Sequence, residues 1–225
     1  MTTLDQVPFD NMEFADNPEP RCPCVLLLDT SESMHGDKIR ELNAGLVEFA
    51  MQLRADAMAS KRIEIAIVTF GPVEVVQPFV TADSFTAPEL KASGNTPMGA
   101  AIVSAADLIA RRKRSYRENG IGYYRPWIFM ISDGEPTDDV RRAQDVIKQS
   151  ERTKSFMFYC VGIAGADMNA LGHISVRQPL RLKGLAFNKL FVWLSHSLST
   201  VSRSQISDTP ALDNPASPSG WAMVD

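Results

Sequence analysis

The sequence has few of the residues that make zinc sites or disulfide scaffolds: three cysteines and three histidines in 225 residues. Cys22, Cys24 and Cys160 form an odd set. Cys22-Pro23-Cys24 has the wrong spacing for a zinc knuckle, and no second Cys or His pair follows at zinc-finger distance. Cysteines that close would strain to bridge each other, so free thiols in a reducing compartment are expected, and with them a cytoplasmic location. His35, His173 and His196 are scattered, which excludes a helical histidine pair. No apolar run approaches the ~20 residues of a spanning helix, so no membrane is expected. No basic start followed by an apolar stretch opens the chain, so no secretory leader is expected. Positive charge is missing from both ends. Residues 1–20 and 205–225 hold no Lys or Arg, whereas 21–204 hold 19 acidic and all 23 basic residues. The whole carries a formal −4, which argues against a dedicated nucleic-acid binder.

The 44% hydrophobic and 22% charged residues are the mix of a globular protein large enough to need no staple. Residues 1–20 read as an acidic, extended N-terminal arm, with Phe9, Met12 and Phe14 available to dock on the core. Residues 205–225, with Pro210, Pro215 and Pro218 among Ser, Asp and Ala, read as a disordered C-terminal tail. Residues 21–204 read as one domain.

Within that domain, residues 24–28 and 127–131 are short apolar runs, the pattern of strands buried on both faces. Residues 63–70 are β-branched, Gly71-Pro72 turns the chain, and 73–80 form the antiparallel partner. Ile39, Leu42, Leu46, Phe49 and Leu53 share one helical face, as do Met98, Ala101, Ile102, Ala105 and Ile109, and Val140, Ala143, Val146 and Ile147. A strand at 156–163, a weak one at 178–182 and a helix from 187 to about 202 complete the order. The alternation predicts an α/β fold: a three-layer, Rossmann-like arrangement with a central, mostly parallel sheet, one antiparallel edge strand and helices on both faces. In such sheets ligands bind at the carboxyl ends of the strands, where strand order reverses.

Three polar segments fall at those ends: Asp29-Thr30-Ser31-Glu32-Ser33, Gly94-Asn95-Thr96-Pro97 and Ser132-Asp133-Gly134-Glu135-Pro136. They offer carboxylates and hydroxyls with no thiolate or imidazole, the donor set of a hard divalent cation. Two carboxylates are few for calcium. Magnesium keeps several waters, so Mg²⁺ is expected, with Mn²⁺ as the alternative.

The set resembles the metal-ion-dependent adhesion site (MIDAS) of von Willebrand factor A (VWA) domains. That pattern is Asp-x-Ser-x-Ser, a distant Thr and a later Asp before Gly. It is matched here by Asp29, Ser31, Ser33, Thr96 and Asp133. The resemblance covers roughly 21–204. Within the family, the 29–34 and 131–138 segments are similar to the stand-alone bacterial TerY-type proteins of tellurium-resistance and stress-response clusters. It implies that Ser31 and Ser33 bind the cation directly, Thr96 directly or through water, and Asp29 and Asp133 mainly through water. A partner protein's Asp or Glu would complete the shell, making a scaffold or adaptor and no enzyme.

Two other classes share part of this pattern. A VWA partner subunit of an AAA-ATPase or chelatase-type complex would use the same five residues. The Leu-Leu-Leu-Asp-Thr strand end is also similar to haloacid-dehalogenase-type phosphatases. Those need a second Asp two residues on, where Ser31 stands. No Gly-x-Ser-x-Gly, P-loop or Gly-x-Gly-x-x-Gly occurs. The basic run Arg111, Arg112, Lys113, Arg114 and Arg117, at the end of the second long helix, reads as complement to the helix dipole, with an acidic partner or the chain's own acidic tail as the alternative. Tyr116, Tyr123, Tyr124 and Trp127 read as packing.

Overall fold

The computed structural model of the chain describes residues 12–223. Seven strands among them form one sheet: β1 (Cys22–Asp29), β2 (Ile63–Phe70), β3 (Glu74–Thr81), β4 (Trp127–Ser132), β5 (Met157–Gly162), β6 (Leu180–Leu182) and β7 (Ala222–Met223). The helices are α1 (Met12–Asp16), α2 (Asp37–Ala55), α3 (Ala59–Arg62), α4 (Met98–Glu118), α5 (Arg141–Thr153), α6 (Met168–Ile174) and α7 (Phe187–Arg203). Strand order is β3-β2-β1-β4-β5-β6-β7, with β1, β2, β4, β5 and β6 parallel. The chain winds outward from β1 to β3, then crosses back to place β4 on the other side of β1. Strand order therefore reverses between β1 and β4.

Every residue of β1, β2 and β4 is buried. Alternate side chains of β1 feed two cores. Cys22, Cys24, Leu26 and Leu28 pack with Leu42, Leu46 and Phe49 of α2 and Phe187, Leu190 and Phe191 of α7. Val25 and Leu27 pack with Met98, Ile102 and Ile109 of α4 and Ala143 and Ile147 of α5. That two-sided burial is why β1 reads as a continuous apolar run. The three thiols are free and buried, and burial pushes Cys22 up to about 12, so they pack as small hydrophobes.

The expected antiparallel edge is β3, whose Pro78 lies at a register shift against β2. Proline donates no ladder hydrogen bond, so an edge bulge suits it. A buried cluster ties this side of the sheet together. Glu64, fully buried on β2, accepts from Arg21 Nε at 2.8 Å and Arg112 Nε at 2.7 Å, and from the Tyr116 hydroxyl. Arg112 of the basic run is thus a partner of the core. Lys113 donates to the Ser155 carbonyl at 3.1 Å.

The arm docks as the sequence allows, with a helical turn where an extended chain was expected, and the tail differs from the sequence expectation. The arm contains the one-turn helix α1, and Phe14 is buried beneath the Arg21 and Arg112 guanidiniums, 5.5 and 5.0 Å from its ring centre. Phe9 lies outside the described residues. The expected disordered tail is ordered over 205–223. Trp221 is buried edge-on against Trp193, with ring centres 5.5 Å apart. The Asp213 carbonyl accepts from Trp193 Nε1 at 2.8 Å. The Pro215 carbonyl accepts from Ala222 N at 2.9 Å, and β7 adds a second antiparallel edge, on β6. One buried tryptophan and two strand residues outweigh the disorder signal of the surrounding Ser, Pro and Asp. Trp221→Ala should therefore cost about 3 kcal/mol of stability, in the range of large core truncations. Chemical denaturation measures this, and an unshifted midpoint would show that the segment does not pack.

Candidate metal centre

β1 can present polar atoms only where it leaves the sheet, and it leaves at Asp29. The Asp29 side chain is fully buried. Its Oδ1 accepts from Ser31 N at 2.9 Å and from Ser31 Oγ at 2.6 Å. Its Oδ2 accepts from Ser132 Oγ, at the end of β4, at 2.5 Å. Ser31 Oγ lies 3.0 Å from Ser33 Oγ, and Ser33 Oγ donates to Asp133 Oδ1 at 2.7 Å. An unbroken chain of oxygens thus runs from Ser132 through Asp29, Ser31 and Ser33 to Asp133, across the strand-order reversal.

Thr96, also buried, enters from the loop over the sheet. A Cβ built on Gly134 would lie 3.4 Å from Thr96 Oγ1 and 3.9 Å from Ser33 Oγ, so both hydroxyls flank the backbone after Asp133. The structure therefore brings together all five residues of the sequence reading. Ser33 is exposed, as are Glu32 and Glu135 beside it, so the cluster opens to solvent on that side.

The surrounding loops are tied by their backbones. Thr30 N donates to the Phe70 carbonyl at 3.1 Å, Ser93 N to the Thr30 carbonyl at 2.7 Å and Glu32 N to the Gly94 carbonyl at 3.0 Å. Gly71 has φ +140°, and a Cβ there would lie 2.6 Å from Ser31 N. Only glycine lets the β2–β3 turn pass that close beneath the Asp29–Ser33 loop. On the other side, Thr137 N donates to the Thr96 carbonyl at 2.9 Å. The Asp138 carboxylate accepts from Gly99 N and Ala100 N at 2.9 and 2.8 Å. Asp138 so caps α4, placing a negative charge at the positive end of the helix and fixing the Thr96 loop to the Asp133 loop.

Sequence reasoning missed three residues of this region. Ser132 adjoins the motif and orients Asp29. Asp138 caps a helix that is distant in sequence. Lys38, near the start of α2, pairs through Nζ with Asp133 Oδ2 and lies 3.3 Å from the Ser33 carbonyl oxygen. A lone lysine nine positions after Asp29 carries no spacing signal.

The donors fit a hard divalent cation that keeps part of its water. All are oxygens, three of the five are neutral hydroxyls, and no group of three or more His, Cys, Asp or Glu among the described residues is placed to hold a metal ion. Softer, thiolate-rich chemistry has no ligands here. Ser31, at the general-acid position of a dehalogenase-type phosphatase, carries no acid and is bonded to Asp29. Burial pushes the Asp29 carboxyl above its ordinary range, against hydrogen bonds from Ser132 and Ser31 that favour the charged form. The charge of Asp133 adds to the upward push.

The sheet, its order and this oxygen cluster define a VWA-type domain. The von Willebrand factor type A domain profile matches residues 24–188, and the chain belongs to that family. No curated protein sequence matches it. Among solved structures, the pilus adhesin SpaC of Lactobacillus rhamnosus GG superposes with TM-score 0.64 at 10% identity, over 81% of this chain and 31% of the adhesin. Proximal thread matrix protein 1 of the mussel byssus superposes with TM-score 0.55 at 14% identity, over 81% of this chain and 49% of that protein. A further structure of the byssus protein, with a zinc-occupied MIDAS motif, gives TM-score 0.54 at 13% identity, again over 81% and 49%. These likenesses concern the fold. The chain spans half or less of either protein.

Because the folded Asp29 carboxyl holds its proton more strongly than an unfolded one, the metal-free protein should lose stability as pH rises from about 4 through the raised folded value. Asp29→Asn removes that loss. It should raise the neutral-pH melting temperature in EDTA while abolishing any upward shift on adding Mg²⁺. A Mg²⁺-induced shift equal to wild type would rule Asp29 out as part of a cation site.

Proposed function

We propose that this chain is a divalent-cation-dependent protein-interaction module, with Mg²⁺, or Mn²⁺, held by Asp29, Ser31, Ser33, Thr96 and Asp133. The observation that supports it is the continuous oxygen chain from Asp29 to Asp133, open to solvent at Ser33. When bound, the cation would offer a coordination position to an Asp or Glu of a partner protein. Ser31, Ser33 and Thr96 contribute neutral oxygens and leave the ion's charge poorly neutralised, which favours an outside carboxylate. Asp29 and Asp133 orient the hydroxyls and hold bound water. This is binding chemistry, and no residue of the cluster has to act as nucleophile or general acid. A groove of about 470 Å³ lined by Gly71, Pro72, Val73, Gly94, Pro97 and Asp138 borders the Thr96 loop and gives room for the segment flanking the partner's carboxylate.

We place the module in the cytoplasm, as a scaffold or adaptor of a bacterial tellurium-resistance or stress-response system. The support is the resemblance of the 29–34 and 131–138 segments to TerY-type proteins. No helix among the described residues is long and apolar enough to cross a membrane.

If a carboxylate bridges to the ion, a pull-down from the host should lose its partner in EDTA while the domain keeps its circular dichroism. Ser33→Ala and Thr96→Ala should each weaken the complex about tenfold or more, the size of one lost charge-assisted contact. Docking on exposed basic residues such as Arg111 and Arg114 gives the opposite pattern: loss in raised salt and indifference to EDTA. Partners that survive EDTA and wash off in salt would overturn the metal bridge.

A further inference from the structure

The position of Lys38 needs an explanation. It is the second residue of α2, where the positive end of the helix disfavours a cation. Its ammonium nevertheless turns into the oxygen cluster and sits on Asp133 Oδ2, with the Ser33 carbonyl 3.3 Å away. The Asp133 side chain is completely buried, whereas that of Lys38 remains 25% exposed. Lys38 is therefore the charge partner of a buried carboxylate, and it has a way out to solvent. The loop after β5 leaves it space: Gly165, at φ +101°, would carry a Cβ 3.7 Å from Nζ.

Resting on the reading that this cluster holds a divalent cation, we infer that Lys38 is a built-in competitor for that cation. Two positive species claim the same carboxylate. The ammonium occupies Asp133 Oδ2 in the structure, and it would have to leave that oxygen for a divalent ion to draw on the Asp133 carboxylate, directly or through water. Apparent metal affinity is then the intrinsic affinity multiplied by the fraction of molecules in which Lys38 has left. With that fraction at about one tenth, Lys38 weakens the metal about tenfold. The same exchange frees a cationic side chain at the edge of the site when the metal enters. Removing Lys38 should strengthen metal binding, the reverse of what the loss of a supporting residue does.

The test is calorimetric titration of Mg²⁺ and Mn²⁺ into wild type, Lys38→Met, Lys38→Gln and Lys38→Arg, with Asp29→Asn as the control without a site. Lys38→Met and Lys38→Gln should bind both metals about tenfold more tightly than wild type, while Lys38→Arg, which keeps the charge, stays close to wild type. In EDTA the two neutral variants should melt below wild type, because Asp133 has lost its partner, and saturating Mg²⁺ should raise their melting temperature by more than it raises that of wild type. The glutamine variant, with its uncharged polar side chain, serves where methionine impairs folding. Equal or weaker binding by the neutral variants, with wild-type binding still abolished by Asp29→Asn, overturns the competition and leaves the metal site standing. Binding that no variant alters, Asp29→Asn included, overturns both.

Discussion

The structure depends on the burial of β1 on both faces between two parallel neighbours. Cys22 to Leu28 can hold no polar side chain, because helices cover the sheet above and below. The first position at which the chain can turn polar is Asp29, and it does so beside the end of β4, where strand order reverses. Asp29 and the Ser132–Asp133 pair are brought together by the topology before any ligand is considered. The buried Glu64 cluster at the other end of β2 helps to fix the strands whose ends carry the site.

A cluster of oxygens at such a place is costly unless each is bonded, and here the bonds run from one to the next. Asp29 orders Ser31, Ser31 faces Ser33, and Ser33 reaches Asp133. The loops that carry them are pinned through Thr30, Glu32, Ser93 and Gly94 on one side and Thr137 and Asp138 on the other. Preorganisation of this kind lowers the ordering cost of taking up an ion.

Much of this was legible in the sequence. The apolar run before Asp29, the helical spacing from Ile39 to Leu53 and the β-branched 63–70 segment each specify one kind of element, and their alternation gives the sheet. That Asp29, Ser31, Ser33 and Asp133 lie together was legible because their polar segments directly follow the buried strands β1 and β4, whereas Thr96, on the loop before α4, was legible through the family pattern. What escaped was set by contacts distant in sequence. Lys38 and Asp138 act on loops they do not adjoin. Trp221 docks on Trp193 from a segment whose composition signals disorder. Arg112, one charge of a basic run, is half-buried and paired with Glu64 because β2 carries a single acidic residue into the core.

The central claim is that Asp29, Ser31, Ser33, Thr96 and Asp133 together hold one divalent ion. Loss of the free Mn²⁺ electron paramagnetic resonance signal on titration with protein measures this directly. Wild type should take up one Mn²⁺ per chain, released by excess Mg²⁺, and a Ser31→Ala, Ser33→Ala double variant that remains folded should take up none. Mn²⁺ uptake of equal stoichiometry and affinity by the double variant would contradict the account.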